Sequence, residues 1–185
     1  MMASCSNIYK RYNRNLILNG FSYTFEPGLY LIVGKNGIGK STLLKTLCGV
    51  IKPSNSNYVL DRIKTAYLCE KIELLNSKVL PFLKSVARIN KMKYDIEKEM
   101  IIWNLPNKNI YNLSKGNKQK LGILMLMMAD VDMYLLDEPT NALDDLSIRL
   151  LKCYIKRLLE KGKIVLISTH SKDVFEDLKY EEIML

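Results

Sequence analysis

Residues 29–42 read Leu29-Tyr30-Leu31-Ile32-Val33-Gly34-Lys35-Asn36-Gly37-Ile38-Gly39-Lys40-Ser41-Thr42. The first five are an apolar run of strand length. Beyond the stretch, Leu43, Leu44 and Leu47 recur at helical spacing until Gly49 and Pro53 stop the helix. Between strand and helix, Gly34 and Gly39 flank four residues and are followed by a lysine and a hydroxyl, the pattern of a Walker A phosphate loop. An ordinary glycine-rich turn can match that pattern, and the strand before and helix after are what separate the two. The glycines let the backbone curl so that successive N–H groups face phosphate oxygens, and the helix adds the positive end of its dipole. Lys40 is expected to reach the β- and γ-phosphates and Ser41 to ligate Mg²⁺. Gly34, Lys35, Asn36, Gly37, Ile38, Gly39 and Thr42 complete the expected cradle.

A second apolar run, Val131-Asp132-Met133-Tyr134-Leu135-Leu136, ends in Asp137-Glu138-Pro139. Acidic residues often close strands, and proline is a natural turn residue. With a phosphate loop in the same chain, two carboxylates at the C-terminal edge of a buried strand fall where open α/β sheets bind ligands. Asp137 then becomes the metal partner of Ser41. Glu138, one residue on, cannot aim at the same spot and is the candidate for orienting or deprotonating an attacking water.

The chain has 185 residues, in the range of one domain, and 48% are hydrophobic, sufficient for a proper core. The longest apolar stretch, residues 121–129, is too short for a membrane span of about twenty residues and reads as a buried helix. The N-terminus has no basic region ahead of an apolar one, which predicts no export signal and a cytoplasmic protein. Cys5, Cys48, Cys69 and Cys153 show no paired ligand spacing and are expected as reduced core thiols, Cys48 and Cys153 lying in apolar helical patterns. A net charge of +9 raises nucleic acid as a partner, but the lysines are scattered and no basic run interleaves with aromatics. No nucleic-acid partner is therefore expected; a basic surface would instead gain modestly from an anionic membrane leaflet.

Along the chain, 7–10 and 20–25 read as strands, with the turn Glu26-Pro27-Gly28 leading into the phosphate-loop strand, and 65–68 as another. Residues 76–111 turn charged and helix-like, with Pro81 and Pro106 as punctuation. A helix over 115–129 is capped by Ser114. Ile148, Leu151, Tyr154, Ile155, Leu158 and Leu159 mark a further helix over 147–161, stopped by Gly162, before a buried strand over 164–168. This alternation predicts an α/β fold with a mostly parallel sheet and helices on both faces. Residues 1–185 read as one domain, with 71–129 approximately a helical subdomain.

At the start of the 115–129 helix stands Leu113-Ser114-Lys115-Gly116-Asn117-Lys118-Gln119. Placed between a Walker A loop and the run LLDEPTNALD (135–144), this LSxG segment resembles the signature of ATP-binding cassette (ABC) ATPases, and the resemblance spans nearly the whole chain. It implies a P-loop NTPase with a mostly parallel core sheet, an N-terminal antiparallel β subdomain and a short helical insertion. It implies ATP and Mg²⁺, with Asp137 as the Walker B aspartate and Glu138 as the catalytic glutamate. His170, in Ser168-Thr169-His170, is similar to the family's switch histidine near the γ-phosphate, and Tyr12 to the aromatic that stacks on adenine. Two cassettes, as a homodimer or pseudo-dimer, would pack head to tail. Ser114 and the N–H groups near Gly116 would then cover ATP bound by the other chain, and Asp144 would lie in the loop that contacts across the dimer. The implied role is the ATP-hydrolysing subunit that drives a separate integral membrane subunit, as in small bacterial exporters, from the inner face of the cell membrane.

Glu70 stands where the resemblance places a glutamine; a carboxylate could still meet Mg²⁺ but lacks the amide donor. Lys115, Asn117 and Asn141 also depart from the commonest family form, while Ser114 and Gly116 persist. Two rival readings are a soluble non-transport ABC ATPase and a regulatory ATP-binding module with little turnover. The first would bring two cassettes, a long coiled coil or a zinc hook, none of which appears. Against the second stand Lys40, Asp137, Glu138 and His170.

Overall fold

The computed structural model describes residues 2–61, 63–69, 76–92 and 95–185. The chain begins with a long antiparallel hairpin, β1 (Ala3–Tyr12) and β2 (Asn15–Phe25), which turns through Asn13 at φ 51°. Asparagine tolerates that left-handed backbone because its short polar side chain bonds locally. Both strands run longer than the local pattern suggests, since register shifts along β1 break the strict alternation.

β3 (Gly28–Val33) enters a second sheet and feeds α1 (Lys40–Leu47). A short β4 (Val59–Leu60) returns to the free edge of β1 and completes a three-stranded sheet in the order β2-β1-β4. β5 (Thr65–Leu68) then rejoins the second sheet. Next come α2 (Val79–Ile89), α3 (Ile96–Ile102) and α4 (Lys115–Met127). Pro81 does not break a helix: it is the third residue of α2, where the missing N–H has no intrahelical partner to lose. β6 (Met133–Asp137), α5 (Asp145–Glu160), β7 (Ile164–Ser168) and β8 (Glu181–Met184) finish the chain. β8 has no counterpart in the sequence-based expectation, because only Ile183 of its four residues is buried and no apolar run announces it.

The second sheet has five strands, all parallel, in the order β5-β6-β7-β3-β8. Its side chains divide by alternation. Leu29, Leu31, Tyr134, Leu136, Val165 and Ile167 enter one core with α2, α3, α4 and α5; Tyr30, Ile32, Met133, Leu135, Ile164 and Leu166 enter another with α1 and the hairpin. A parallel sheet must be covered on both faces, which is why its central strands are apolar throughout. Helices thus lie on both faces as expected, and on the second face α1 shares the cover with the antiparallel sheet. Burying each leucine in such a core contributes about 1.5–3 kcal/mol.

The expected core thiols need correction: only Cys5 is buried, Cys48 and Cys69 are half-buried and Cys153 is exposed. Burial pushes the Cys5 thiol up to about 11. Among the described residues no helix is long and apolar enough to cross a membrane.

Candidate functional site

In the sheet order β6-β7-β3, the phosphate loop leaves the end of β3 and the two acids leave the end of β6, with the end of β7 between them. This juxtaposition makes the site. The loop reaches α1 through Gly39 at φ 124°, where a Cβ would stand 2.7 Å from the Ile17 side chain on β2, so only glycine fits. Lys40 is buried, and its ammonium donates to the loop's own carbonyls, Gly34 O at 2.9 Å and Lys35 O at 3.3 Å. The charge is thus held inside the curl of the loop that the pattern assigns to phosphate.

Ser41 Oγ donates to Asp137 Oδ1 at 2.9 Å. Ser168 Oγ donates to the same oxygen at 2.6 Å, and Tyr67 OH donates to Oδ2 at 2.9 Å. Burial, reinforced by the Asp137 charge and hydrogen bond, raises the Tyr67 phenol well above its ordinary value, so it stays a donor. Asp137 is 2% exposed and accepts from three hydroxyls, so its buried oxygens are satisfied. A serine hydroxyl that lines the cavity, backed by one carboxylate, is a pair of hard oxygen donors that fits Mg²⁺, which takes few protein ligands and completes its shell with water and phosphate. Ser41 and Asp137 are the residues that would hold it. Glu70, the other expected metal ligand, lies outside the described residues.

Glu138 follows with φ 47°, a conformation rare for a residue with a side chain. Its N–H is fixed by Ser168, to O at 3.1 Å and to Oγ at 3.0 Å. Its Oε2 lies 2.9 Å from His170 Nδ1, so two expected site residues 32 apart in the chain meet in space. A cavity of about 370 Å³ is lined by Asn36, Gly37, Gly39, Lys40, Ser41, Thr42, Glu138, Asn141 and His170. The sequence reading had singled out all of these for the site except Asn141.

Four expected site residues stand elsewhere. Tyr12, half-exposed at the end of β1, does not line the cavity; the Lys10 ammonium sits 5.3 Å from its ring centroid. Ser114 is exposed and caps α4, its hydroxyl accepting from Asn117 N–H at 3.2 Å. Gly116 packs against the loop after the acids, where a Cβ would lie 2.4 Å from Ala142 O. Asp144 caps α5 through Ser147 N–H at 2.8 Å and pairs with Lys120 Nζ at 2.8 Å. Hydrogen bonds from Lys120 and Ser147 hold its carboxyl well below the usual range.

Sequence reasoning missed how α4 grips that loop. Gly116, Gln119 and Lys120 share one helical face. The buried Gln119 amide donates to Pro139 O at 3.1 Å, between the Ala142 contact and the Asp144 ion pair. Nothing in the sequence sets Gln119 and Lys120 apart from the neighbouring Asn117 and Lys118 in the polar first half of α4; only the structure buries them.

Comparison with known proteins agrees with this geometry. The family model described as ABC transporter matches residues 18–141. An uncharacterized ABC transporter ATP-binding protein of Methanocaldococcus jannaschii is 33% identical over 182 residues, covering 93% of this chain and 69% of that protein. A lantibiotic transport ATP-binding protein of Streptococcus pyogenes is 27% identical, covering 96% of this chain and 83% of that one. Among solved structures, a putative ABC transporter ATP-binding protein from Pyrococcus furiosus superposes with a TM-score of 0.78 at 25% identity, covering 100% of this chain and 98% of that one.

Proposed function

Since the chain belongs to the ABC transporter family and is one of its ATP-hydrolysing, ATP-binding proteins, we propose that it drives a separate membrane-spanning subunit by closing around MgATP with a second copy of itself. The observation that carries this reading is the Ser41–Asp137–Ser168–Glu138 cluster beside the phosphate loop, with His170 on Glu138. Ser41 and Asp137 would hold Mg²⁺, which when bound would help neutralise the phosphate charge. Lys40, poised inside the loop, exchanges its carbonyl partners for phosphate. Glu138 orients the attacking water and accepts its proton, while His170 holds the carboxylate in place. Water attacks the γ-phosphorus, the bond to the β-phosphate oxygen breaks, and ADP and phosphate leave.

Ser114 supports the second copy. It is exposed at the N-terminus of a 13-residue helix, away from its own chain's cavity, where N–H groups and dipole favour an anion presented by a partner. The name of the Streptococcus relative, a lantibiotic transport protein, supports a role in transport, and the reading places this chain in an exporter, on the inner face of the membrane. The test is turnover: purified protein hydrolyses ATP, and Glu138→Gln binds ATP with little change while hydrolysis falls at least about 100-fold. ATP binding without any turnover in the wild type would favour the regulatory reading instead.

A further inference from the structure

Ser168 ends β7, the strand between the phosphate loop's strand and that of the acids, and it is fully buried. The four residues before it in the strand, Ile164 to Ile167, are apolar, and packing alone would accept another at this position. Its hydroxyl instead serves both acids at once. It accepts from the Glu138 N–H at 3.0 Å and donates to Asp137 Oδ1 at 2.6 Å. The register explains why: Asp137 pairs directly with Ser168 across the two parallel strands, so the hydroxyl lies at the one place that reaches the side chain of Asp137 and the backbone of Glu138. Glu138 carries φ 47°, and such a conformation persists only where the surroundings over-determine it.

We propose that Ser168 is a positioning residue for hydrolysis, its single hydroxyl locking the metal-side carboxylate and the left-handed turn of Glu138 into one unit before nucleotide arrives. Tyr67 holds the opposite oxygen of Asp137 but makes no bond to Glu138, so it orients one acid only. The proposal rests on the hydrolytic reading above.

The test compares Ser168→Ala and Ser168→Cys, the latter keeping nearly the original size with a much weaker donor, against Tyr67→Phe. Both Ser168 variants should lower kcat about 10- to 100-fold, the cost of a hydrogen bond to a charged group, while KM for ATP changes less than about threefold. Tyr67→Phe should raise the Mg²⁺ concentration for half-maximal rate and lower kcat less than Ser168→Ala does. Calorimetry in the Glu138→Gln background supplies a readout free of turnover. There, Ser168→Ala should leave ATP affinity without Mg²⁺ unchanged and reduce the gain in affinity that Mg²⁺ brings. The proposal is overturned if both Ser168 variants keep kcat within threefold of wild type, or if ATP affinity falls equally with and without Mg²⁺. A wild-type protein without turnover would defeat the hydrolytic reading, and the calorimetric comparison would still decide whether Ser168 fixes Asp137.

Discussion

The end of β6 and the start of α4 are both polar, yet they are built in opposite ways. At the first, Asp137 is 2% exposed, accepts from three hydroxyls, and leads into a Glu138 pinned by its backbone and by His170. At the second, Ser114 is exposed and its hydroxyl only caps its own helix. A buried, saturated cluster is shaped by its own chain and ready for chemistry. An exposed helix N-terminus has its anion-binding capacity turned outward. The two ends are nevertheless tied together, because α4 touches the loop after the acids through Gly116, Gln119 and Lys120. What happens at one chain's acids is therefore mechanically close to the surface that the proposed second copy would meet.

The sharpest way to break the contrast is within the buried end. Glu138→Gln should cut steady-state hydrolysis at least about 100-fold, measured as phosphate release, with ATP affinity retained. Lys40→Ala should weaken ATP binding about 10- to 100-fold by calorimetry, since it removes a charge-assisted contact; unchanged affinity would sink the loop assignment. Between the two ends, Gly116→Ala forces a methyl within 2.4 Å of Ala142 O and should destabilise by about 1–3 kcal/mol. That is a melting temperature lower by about 2–10 °C for a chain of this size, with hydrolysis reduced as well.

The smallest effect lies at Asp144. Its carboxyl is depressed by Lys120 and Ser147, so its contribution to stability is complete above the unfolded value near pH 3.9 and fades as pH falls below it. The melting difference between wild type and Asp144→Asn should shrink on going from pH 6 to pH 3. It should also shrink with added salt, because the carboxylate is mostly exposed.

How much of this was legible in the sequence follows from distance along the chain. The phosphate loop is a local pattern, its glycines, lysine and serine lying within eight residues between a strand and a helix, and the structure places every element where the pattern does. The caps at Ser114 and Gly162, and the buried strands 133–137 and 164–168, are local in the same sense. The hydroxyl cage of Asp137 is not local: Tyr67 and Ser168 lie 70 and 31 residues away and meet it only because β5 and β7 flank β6 in the sheet. No single-sequence pattern encodes that strand order. Asp144, expected in the loop that contacts across a dimer, also pairs with Lys120, 24 residues away and invisible for the same reason, whereas its cap on Ser147 is local.

The central claim is that the buried half of the site is completed by the exposed half of a second copy. Sedimentation equilibrium of Glu138→Gln tests it directly, since this variant keeps ATP without consuming it. The account predicts a monomer with ADP and a dimer with saturating MgATP, reversed when Ser114→Arg is added to the same chain. A monomer under MgATP at full nucleotide occupancy would contradict it.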